Sequence, residues 1–569
     1  MIQILIGHRG VGKSTFLNRV RALTETPCFD LDEEIEKQHN QPIRRIFESG
    51  EREFRTLETQ TLWNLVESAR GPMIVAVGAG FEGPMPPEAK VIWLRRESDR
   101  HGRVFLNRPR LNSSVSLFDE YMERFPIREK RFREWAHEEI FLPEGGDGDL
   151  AQFIEHPEKF KVPFEITLLP ENFRDWFYFL ERRRDWNVRH FELRDDLLTP
   201  DQMEVAVDTL PPEQILFSRR KQGGPELSLK TDWALELGAP EAPPYILSLH
   251  ERERDFSQTL KNFSTHKAEI LKLAVKIDSF AELRAGHRWW SEDPKRRAFL
   301  PRSVDGRWRW YRSLFGPRMP LHFISEGEGS AADQPKLWQC FLQTPFENAF
   351  AAILGHPVSQ SLTPIEQRTF FAEKKMPIVA VDIYEGEFEQ AIEVLRELGL
   401  THAAVTAPLK LKAFAIATEK TPEAEEMQSV NTLLIKGTKV IGHNTDVLAL
   451  ERIRDELPYF RSVWCWGGGG TLPSVKKAWP QVKLMSAREG RARDGSIDNP
   501  LPELLIWAAG RSTAFWFPDV TPQLVLDLNY TANSPGLEFA ASRNLPYQSG
   551  LRMFKLQAES QREFWKGRQ

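Results

Sequence analysis

Short apolar runs alternate with amphipathic stretches along most of this 569-residue chain. Near the start, IQILI, MIVAV and KVIWL have the form of strands, and the segments between them, STFLNRVRAL for one, space apolar residues at helical intervals. That alternation predicts a parallel sheet with helices on both faces. It returns in the last segment, with AAILG and a glycine run, VWCWGGGG, near its middle. In between, RHFELRDD, QILFSRR, PYILSLH and EILKLAV are strand-like, but the helices separating them are short or hard to find. A Gly/Asp/Pro stretch, LPEGGDGDLAQ at 142–152, and the subtler break LQTPFENAF at 342–350 divide the sequence. The pattern predicts an α/β chain of three domains, at 1–155, 160–343 and 346–569.

Composition narrows the function classes. A formal charge of −5, with 28% charged and 41% hydrophobic residues, leaves no basic surface for nucleic acid or for an acidic membrane. The three cysteines, Cys28, Cys340 and Cys465, lie far apart, which excludes a disulfide framework or a zinc site of ordinary spacing and fits a reducing cytosol. No basic leader or apolar span of about 18 residues is present, so a cytoplasmic protein is expected.

The first candidate chemistry is GHRGVGKST, which follows a strand and opens a helix. In such a P-loop, backbone N–H groups around Gly7, Gly10, Val11, Gly12 and Thr15 hold phosphate oxygens, Lys13 reaches the β and γ phosphates, and Ser14 meets Mg²⁺. Asp30 and Asp32, two apart at a strand end in FDLDEEIEK, can divide the metal shell and a substrate hydroxyl between them. Further on come ESGEREFRTLE (48–58), VAVGAG (75–80), Arg108-Pro109 and Phe132-Arg133. Together these motifs resemble shikimate kinase across about residues 1–140. The resemblance implies Asp30 at the metal, Asp32 at the shikimate hydroxyl, Gly78 and Gly80 against the substrate, Arg55 and Arg133 on its carboxylate, and Arg108 closing over the phosphates.

In the middle segment Lys272 interrupts an apolar strand, EILKLAV, and His250 ends another, YILSLH. A lysine in apolar surroundings has its pKa lowered and can attack a ketone, and a histidine can move protons near neutrality. Glu192 and Arg194 share one strand face in HFELRDD. The order Glu192-x-Arg194, Arg220, Ser248-x-His250, EILKLA, Arg312 and Ser330-x-x-x-Gln334 resembles type I 3-dehydroquinate dehydratase, a (β/α)₈ family, across about 162–340. It implies Lys272 as Schiff-base nucleophile and His250 as general acid and base, with Glu192, Arg194, Arg220, Arg312, Ser330 and Gln334 orienting the substrate. Only 30 positions separate Arg220 from His250, so the barrel is expected to be trimmed on its outside.

In the last segment ILGHPVSQSLTP (353–364), VTAPLK (405–410), SVNTL (429–433) and GHNTD (442–446) resemble, in order, the motifs of shikimate dehydrogenase. That implies a substrate part at about 346–455, a Rossmann-type NADP part at about 460–545 and a C-terminal helix. Lys410 paired with Asp446 would move the proton while NADPH delivers hydride. Ser361, Thr363, Thr406, Asn431, Tyr530 and Gln557 would hold the carboxylate and hydroxyls. Gly467, Gly469 and Gly470 would take the pyrophosphate, and Arg488 or Arg491 a 2′-phosphate. Gln360, Thr363 and Val447 stand where that family has histidine, serine and glycine.

The three resemblances follow one another as in the C-terminal part of the arom-type pentafunctional shikimate-pathway polypeptide. They imply a trifunctional enzyme acting on 3-dehydroquinate, 3-dehydroshikimate and shikimate, using ATP, Mg²⁺ and NADPH, with a homodimer as an open option. The alternative is a ligand-sensing regulator of the quinate-repressor type, which resembles the same domains without catalysis; a kinase with one degenerate domain is a third reading. Retention of Lys13, Asp32, His250, Lys272, Lys410 and Asp446 argues against the regulator, because binding alone does not require a Schiff-base lysine.

Overall fold

The computed structural model describes residues 2–23, 26–48, 50–95, 117–141, 162–170, 187–222, 229–325, 330–336, 340, 343–358, 361–496, 500–510, 517–529 and 534–567. Arg108 and Tyr530 lie outside the described residues.

The first strands are β1 (Ile2–Ile6), β2 (Cys28–Asp30), β3 (Met73–Ala76), β4 (Ala89–Arg95) and β5 (Glu138–Phe141). They form a parallel sheet in the order β2-β3-β1-β4-β5. Alternation along β1 sends Ile4 and Ile6 into a core with Leu31, Phe54 and Trp93, and Leu5 into another with Val11, Phe16 and Leu17. Burial of both faces explains why these strands read as unbroken apolar runs. Helix Lys13–Leu23 follows β1, and helix Leu31–His39 is capped by Asp30, whose carboxylate accepts from the Asp32 amide at 3.1 Å.

Eight strands follow: β6 (Phe164–Thr167), β7 (Val188–Arg194), β8 (Ile215–Arg219), β9 (Lys230–Ala234), β10 (Ile246–Leu249), β11 (Ile270–Leu273), β12 (Arg297–Phe299) and β13 (Phe323–Ile324). All of their ladders are parallel, in the order β12-β11-β10-β9-β8-β7-β6-β13, a curled, barrel-like sheet. Helices Pro200–Thr209, Phe256–Phe263 and Phe280–Glu292 are capped by Thr199, Asp255 and Ser279. Among the described residues between β9 and β10, a single 3₁₀ turn, Leu235–Leu237, stands where a covering helix would be, so the barrel is trimmed there. Trp233 of β9 donates its indole N–H to the Gly238 carbonyl at 2.9 Å, and the Arg219 guanidinium lies 5.0 Å from its ring centroid.

The first two sheets share an apolar cluster. The apolar cluster holding Leu5, Phe16 and Leu94 continues through Phe164, Phe191 and Phe217. Both sheets fall in one compact unit, Met1–Glu97 with Ile127–Gln343.

The second unit includes Thr344–Gln569. Its first sheet is built from β14 (Phe350–Gly355), β15 (Ile378–Asp382), β16 (Leu400–Val405), β17 (Glu419–Lys420), β18 (Thr432–Lys436) and β19 (Lys439–His443), ordered β15-β14-β16-β18-β19-β17. Its second contains β20 (Val463–Gly467), β21 (Lys483–Ser486), β22 (Arg491–Ala492), β23 (Leu504–Ala508), β24 (Leu524–Asp527) and β25 (Tyr547–Gln548), ordered β22-β21-β20-β23-β24-β25. Every ladder of this second sheet is parallel except the β21–β22 hairpin. Helix Leu551–Lys566 ties the two sheets together, burying Met553 and Leu556 in the core of the second and Phe564 and Trp565 in that of the first.

Candidate active sites

The P-loop emerges from β1 where the backbone is crowded: a Cβ at Gly7 would lie 2.5 Å from the Leu94 carbonyl oxygen. Gly10 and Gly12 take φ of 82° and 103°. Lys13 Nζ donates to the Gly7 and His8 carbonyls at 2.8 and 3.2 Å, which folds the lysine over its own loop. Ser14 and Thr15 are exposed, and Val11 is buried in the core. Across from the loop, Arg55 and Glu58 form an ion pair at 2.6 Å. A Cβ at Gly80 would overlap the Arg55 guanidinium, and one at Gly78 would lie 2.7 Å from Glu58 Oε1 and 3.6 Å from Asp32 Oδ1. Asp32, Arg55, Gly78 and Gly80 therefore meet in one place, joined by Glu58, which sequence reasoning left without a role.

Arg133 does not join them. Its side chain is 62% exposed and pairs with Glu129 at 3.6 Å. Arg128, just over one helical turn earlier, is the buried arginine of this helix, and its charge bears on His8 of the P-loop. A motif read by its aromatic neighbour cannot distinguish the faces of a helix, and Arg133 lies on the exposed one.

Burial, then the neighbouring Asp30, raises the Asp32 carboxyl to about 6. Burial raises Glu58 to about 7 despite Arg55. The folded state thus holds both protons more tightly than the unfolded chain, so the stability they contribute is full below about pH 4 and is lost as pH rises through 6 to 7. The melting temperature of the ligand-free protein is expected to fall across that window, and to fall less in Asp32→Asn/Glu58→Gln; an identical pH slope in the double variant would refute this.

At the C-terminal ends of the barrel strands, Lys272 and Arg220 face Glu192 and Asp232. Lys272 Nζ lies 2.5 Å from Asp232 and 3.8 Å from Glu192; Arg220 lies 2.7 and 3.8 Å from the same carboxylates. Thr167 and Ser218 donate to Glu192 at 2.6 and 2.7 Å, Arg220 also donates to Ser248, and Ser330 lies 3.4 Å from Thr167. The apolar setting expected for Lys272 is thus a neutral cluster of four charges, although burial still lowers its pKa. Lysine and aspartate are both costly to bury alone, and pairing makes their burial tenable. Asp232 was not legible because LKTDWALEL carries no motif that marks it.

His250 is held by Glu236, which accepts from its backbone N–H at 2.5 Å and faces its Nδ1 at 3.4 Å. Burial lowers the His250 pKa, and His250 in turn holds Glu236 down to about 2. The structure does not bring every expected residue to the cluster. Arg194 is bound bidentately by Asp196 at 2.6 and 2.9 Å. Arg312 is buried on helix Arg309–Phe315, its Nε without a partner, and burial lowers it to about 10. Gln334 accepts from the Ala331 amide and so closes its own turn.

In the second unit, Lys410 Nζ donates to Asp446 Oδ2 at 2.6 Å. Asp446 is fully buried, and its other oxygen accepts from Asn431 at 2.8 Å and from Gln557. The lysine opens the helix after β16 and the aspartate the helix after β19, while Gln557 comes from the C-terminal helix. Ser361 donates to Thr363, and Thr406 packs against Gly355. At the glycine turn Gly467 and Gly468 take φ of 81° and 89°, and a Cβ at Gly469 or Gly470 would meet nothing within 4 Å. The turn therefore leaves open space of the kind a pyrophosphate needs. Arg488 is exposed, and Arg491 pairs with Glu489; Arg493 instead reaches the turn, donating to the Gly468 carbonyl at 2.9 Å. The β21–β22 hairpin carries it there. Among the described residues no group of three or more His, Cys, Asp or Glu is placed to hold a metal, and no helix is long and apolar enough to cross a membrane.

Comparison with known proteins assigns parts of the chain to parts of families. Residues 9–136 match the model of shikimate kinase, and 353–433 that of the shikimate dehydrogenase substrate binding domain. A shikimate dehydrogenase (NADP(+)) of Symbiobacterium thermophilum is 35% identical over 129 residues, 22% of this chain and 44% of that protein. One from Pseudoalteromonas atlantica is 28% identical over 207 residues, 32% of this chain and 76% of that protein. The chain thus spans less than half the length of the first of these relatives. The crystal structure of shikimate dehydrogenase from Aquifex aeolicus aligns with 39% of this chain and 93% of its own, at 20% identity and a TM-score of 0.34.

Proposed function

We propose that the chain carries out three consecutive reactions on one carbon ring: dehydration of 3-dehydroquinate in the barrel, reduction of 3-dehydroshikimate by the second unit, and phosphorylation of shikimate at the P-loop. The observation that carries the reading is the buried Asp446 with Lys410, Asn431 and Gln557 gathered on it, adjoining the segment that matches a shikimate dehydrogenase substrate-binding domain. The four-charge cluster around Lys272 supports the first step, and the meeting of Asp32, Arg55, Gly78 and Gly80 supports the third.

At the P-loop, backbone N–H groups and Lys13 bind the ATP phosphates, while Ser14 and Asp30 supply oxygen ligands suited to Mg²⁺. Asp32, held near 6, is ionised at neutral pH and accepts the proton of the attacking hydroxyl. In the barrel, Lys272 adds to the substrate ketone and His250 moves the proton of the elimination. In the second unit NADPH, when bound along the Gly467–Gly470 turn, supplies the hydride. Lys410 gives the proton to the carbonyl oxygen, and Asp446 holds the lysine in place.

Borohydride added with 3-dehydroquinate is expected to leave a reduced adduct on the peptide containing Lys272, read by mass spectrometry. The absence of that adduct, with NADPH oxidation by 3-dehydroshikimate and ADP release with shikimate both present, would remove the barrel from the scheme and leave a bifunctional enzyme.

A further inference from the structure

The two carboxylates beside Lys272 are not equivalent. Glu192 has both oxygens occupied, Oε1 by Ser218 and Oε2 by Thr167. Asp232 is fully buried, and its Oδ2 takes Lys272 at 2.5 Å and Arg220 at 2.7 Å, with Ser218 at 3.4 Å. Its Oδ1 is buried with no hydrogen-bond partner. An acceptor buried without a partner is costly to keep, so its retention beside a nucleophile asks for a use. Of the two carboxylates, Asp232 alone touches Lys272 at hydrogen-bond distance and alone has an oxygen free to receive a proton.

We propose that Asp232 is a catalytic residue: it takes a proton from the Lys272 ammonium as the amine adds to a ketone, and returns it to the oxygen that leaves. This rests on the Schiff-base reading of the barrel. The ammonium loses one proton to Asp232, and the freed lone pair forms the C–N bond while the C=O π pair moves to oxygen. A second nitrogen proton passes to that oxygen, giving a hydroxyl. Asp232 then returns its proton to the hydroxyl, water leaves, and the nitrogen lone pair closes a protonated imine. Three ammonium hydrogens end as two in water and one on the imine nitrogen, and Asp232 is again an anion beside a cation. Arg220 stays on Oδ2 throughout, which fixes the carboxylate, and Glu192 keeps the cluster neutral.

The test uses the full-length chain and two readouts. The first is reductive methylation of Lys272 by formaldehyde and cyanoborohydride as a function of pH, which needs no natural substrate. Asp232→Asn is expected to lower the pH midpoint of labelling by about one unit or more, because the ammonium loses its counter-charge. The second is the rate of borohydride-trapped adduct formation with 3-dehydroquinate. It is expected to fall about 10²–10⁴-fold in Asp232→Asn, even at a pH where the amine is neutral, with partial rescue in Asp232→Glu. The single variant leaves the cluster with one excess positive charge, so the labelling comparison is repeated in an Arg220→Gln background, where Asp232→Asn restores neutrality. There too the midpoint is expected to fall. An unchanged midpoint in both backgrounds, or adduct formation as fast in Asp232→Asn as in the parent, overturns the role of Asp232. No adduct in the parent chain, with the labelling shifts intact, overturns the Schiff-base reading instead and leaves Asp232 only as the partner of the lysine.

Discussion

Asp446→Asn is expected to lower the NADPH-dependent reduction of 3-dehydroshikimate by about 10²–10⁴-fold, with phosphorylation of shikimate unchanged. The carboxylate is fully buried and serves three donors, Lys410, Asn431 and Gln557. An amide in its place keeps one acceptor oxygen and turns a donor toward other donors, so one amide pair is set in opposition and the lysine loses its counter-charge. Lys410→Met is the complementary variant, since it removes the proton donor and leaves the carboxylate with Asn431 and Gln557. Steady-state kinetics separate the alternatives. A fall in kcat with KM little changed marks loss of a step made in the transition state, whereas a rise in KM with kcat retained would make the pair a binding device and refute the assignment.

What could be read from the sequence follows from how each site is built. Lys13, Asp32 and Arg55 in the first unit, and Lys410, Asn431 and Asp446 in the second, lie in short motifs whose order along the chain is enough to identify each set. Asp232 and Glu58 reach their partners by other means. Asp232 sits three strands of the sheet along from β6, and only the register of β9 against β10, which sets Ala234 beside Ser248, puts its carboxylate next to Lys272. Register of that kind has no local signature. Arg133 shows the converse failure, in which the motif was present and the helix face turned its arginine to solvent.

The trimmed barrel was legible because 30 positions between Arg220 and His250 cannot hold two helices. The shared apolar cluster under the P-loop sheet and the barrel was not, because Leu5 and Phe217 are each ordinary core residues of their own strand. Arg493 was hidden for a third reason. SAREGRAR offers several arginines at short spacing, and the hairpin that returns the last of them to Gly468 appears only once β21 and β22 pair.

Lys13→Ala is expected to lower ATP-dependent phosphorylation of shikimate by about 10²–10³-fold, the size of effect that follows removal of one preorganised charge from a developing anion. Lys13 Nζ donates to the carbonyls of Gly7 and His8 at 2.8 and 3.2 Å. Binding phosphate must exchange those neutral acceptors for charged oxygens, which are the stronger partners. The substitution has a second, independent signature. His8 is held at about 3, by burial first and by the Lys13 charge next. Removing that charge should raise the His8 pKa while burial keeps it below the ordinary histidine range, a change read by NMR titration without any nucleotide. Loss of kinase activity together with an upward His8 shift places Lys13 both beside His8 and on the phosphates. Activity within a few-fold of the parent would mean that the loop backbone alone carries the phosphates, and would refute the role given to the lysine.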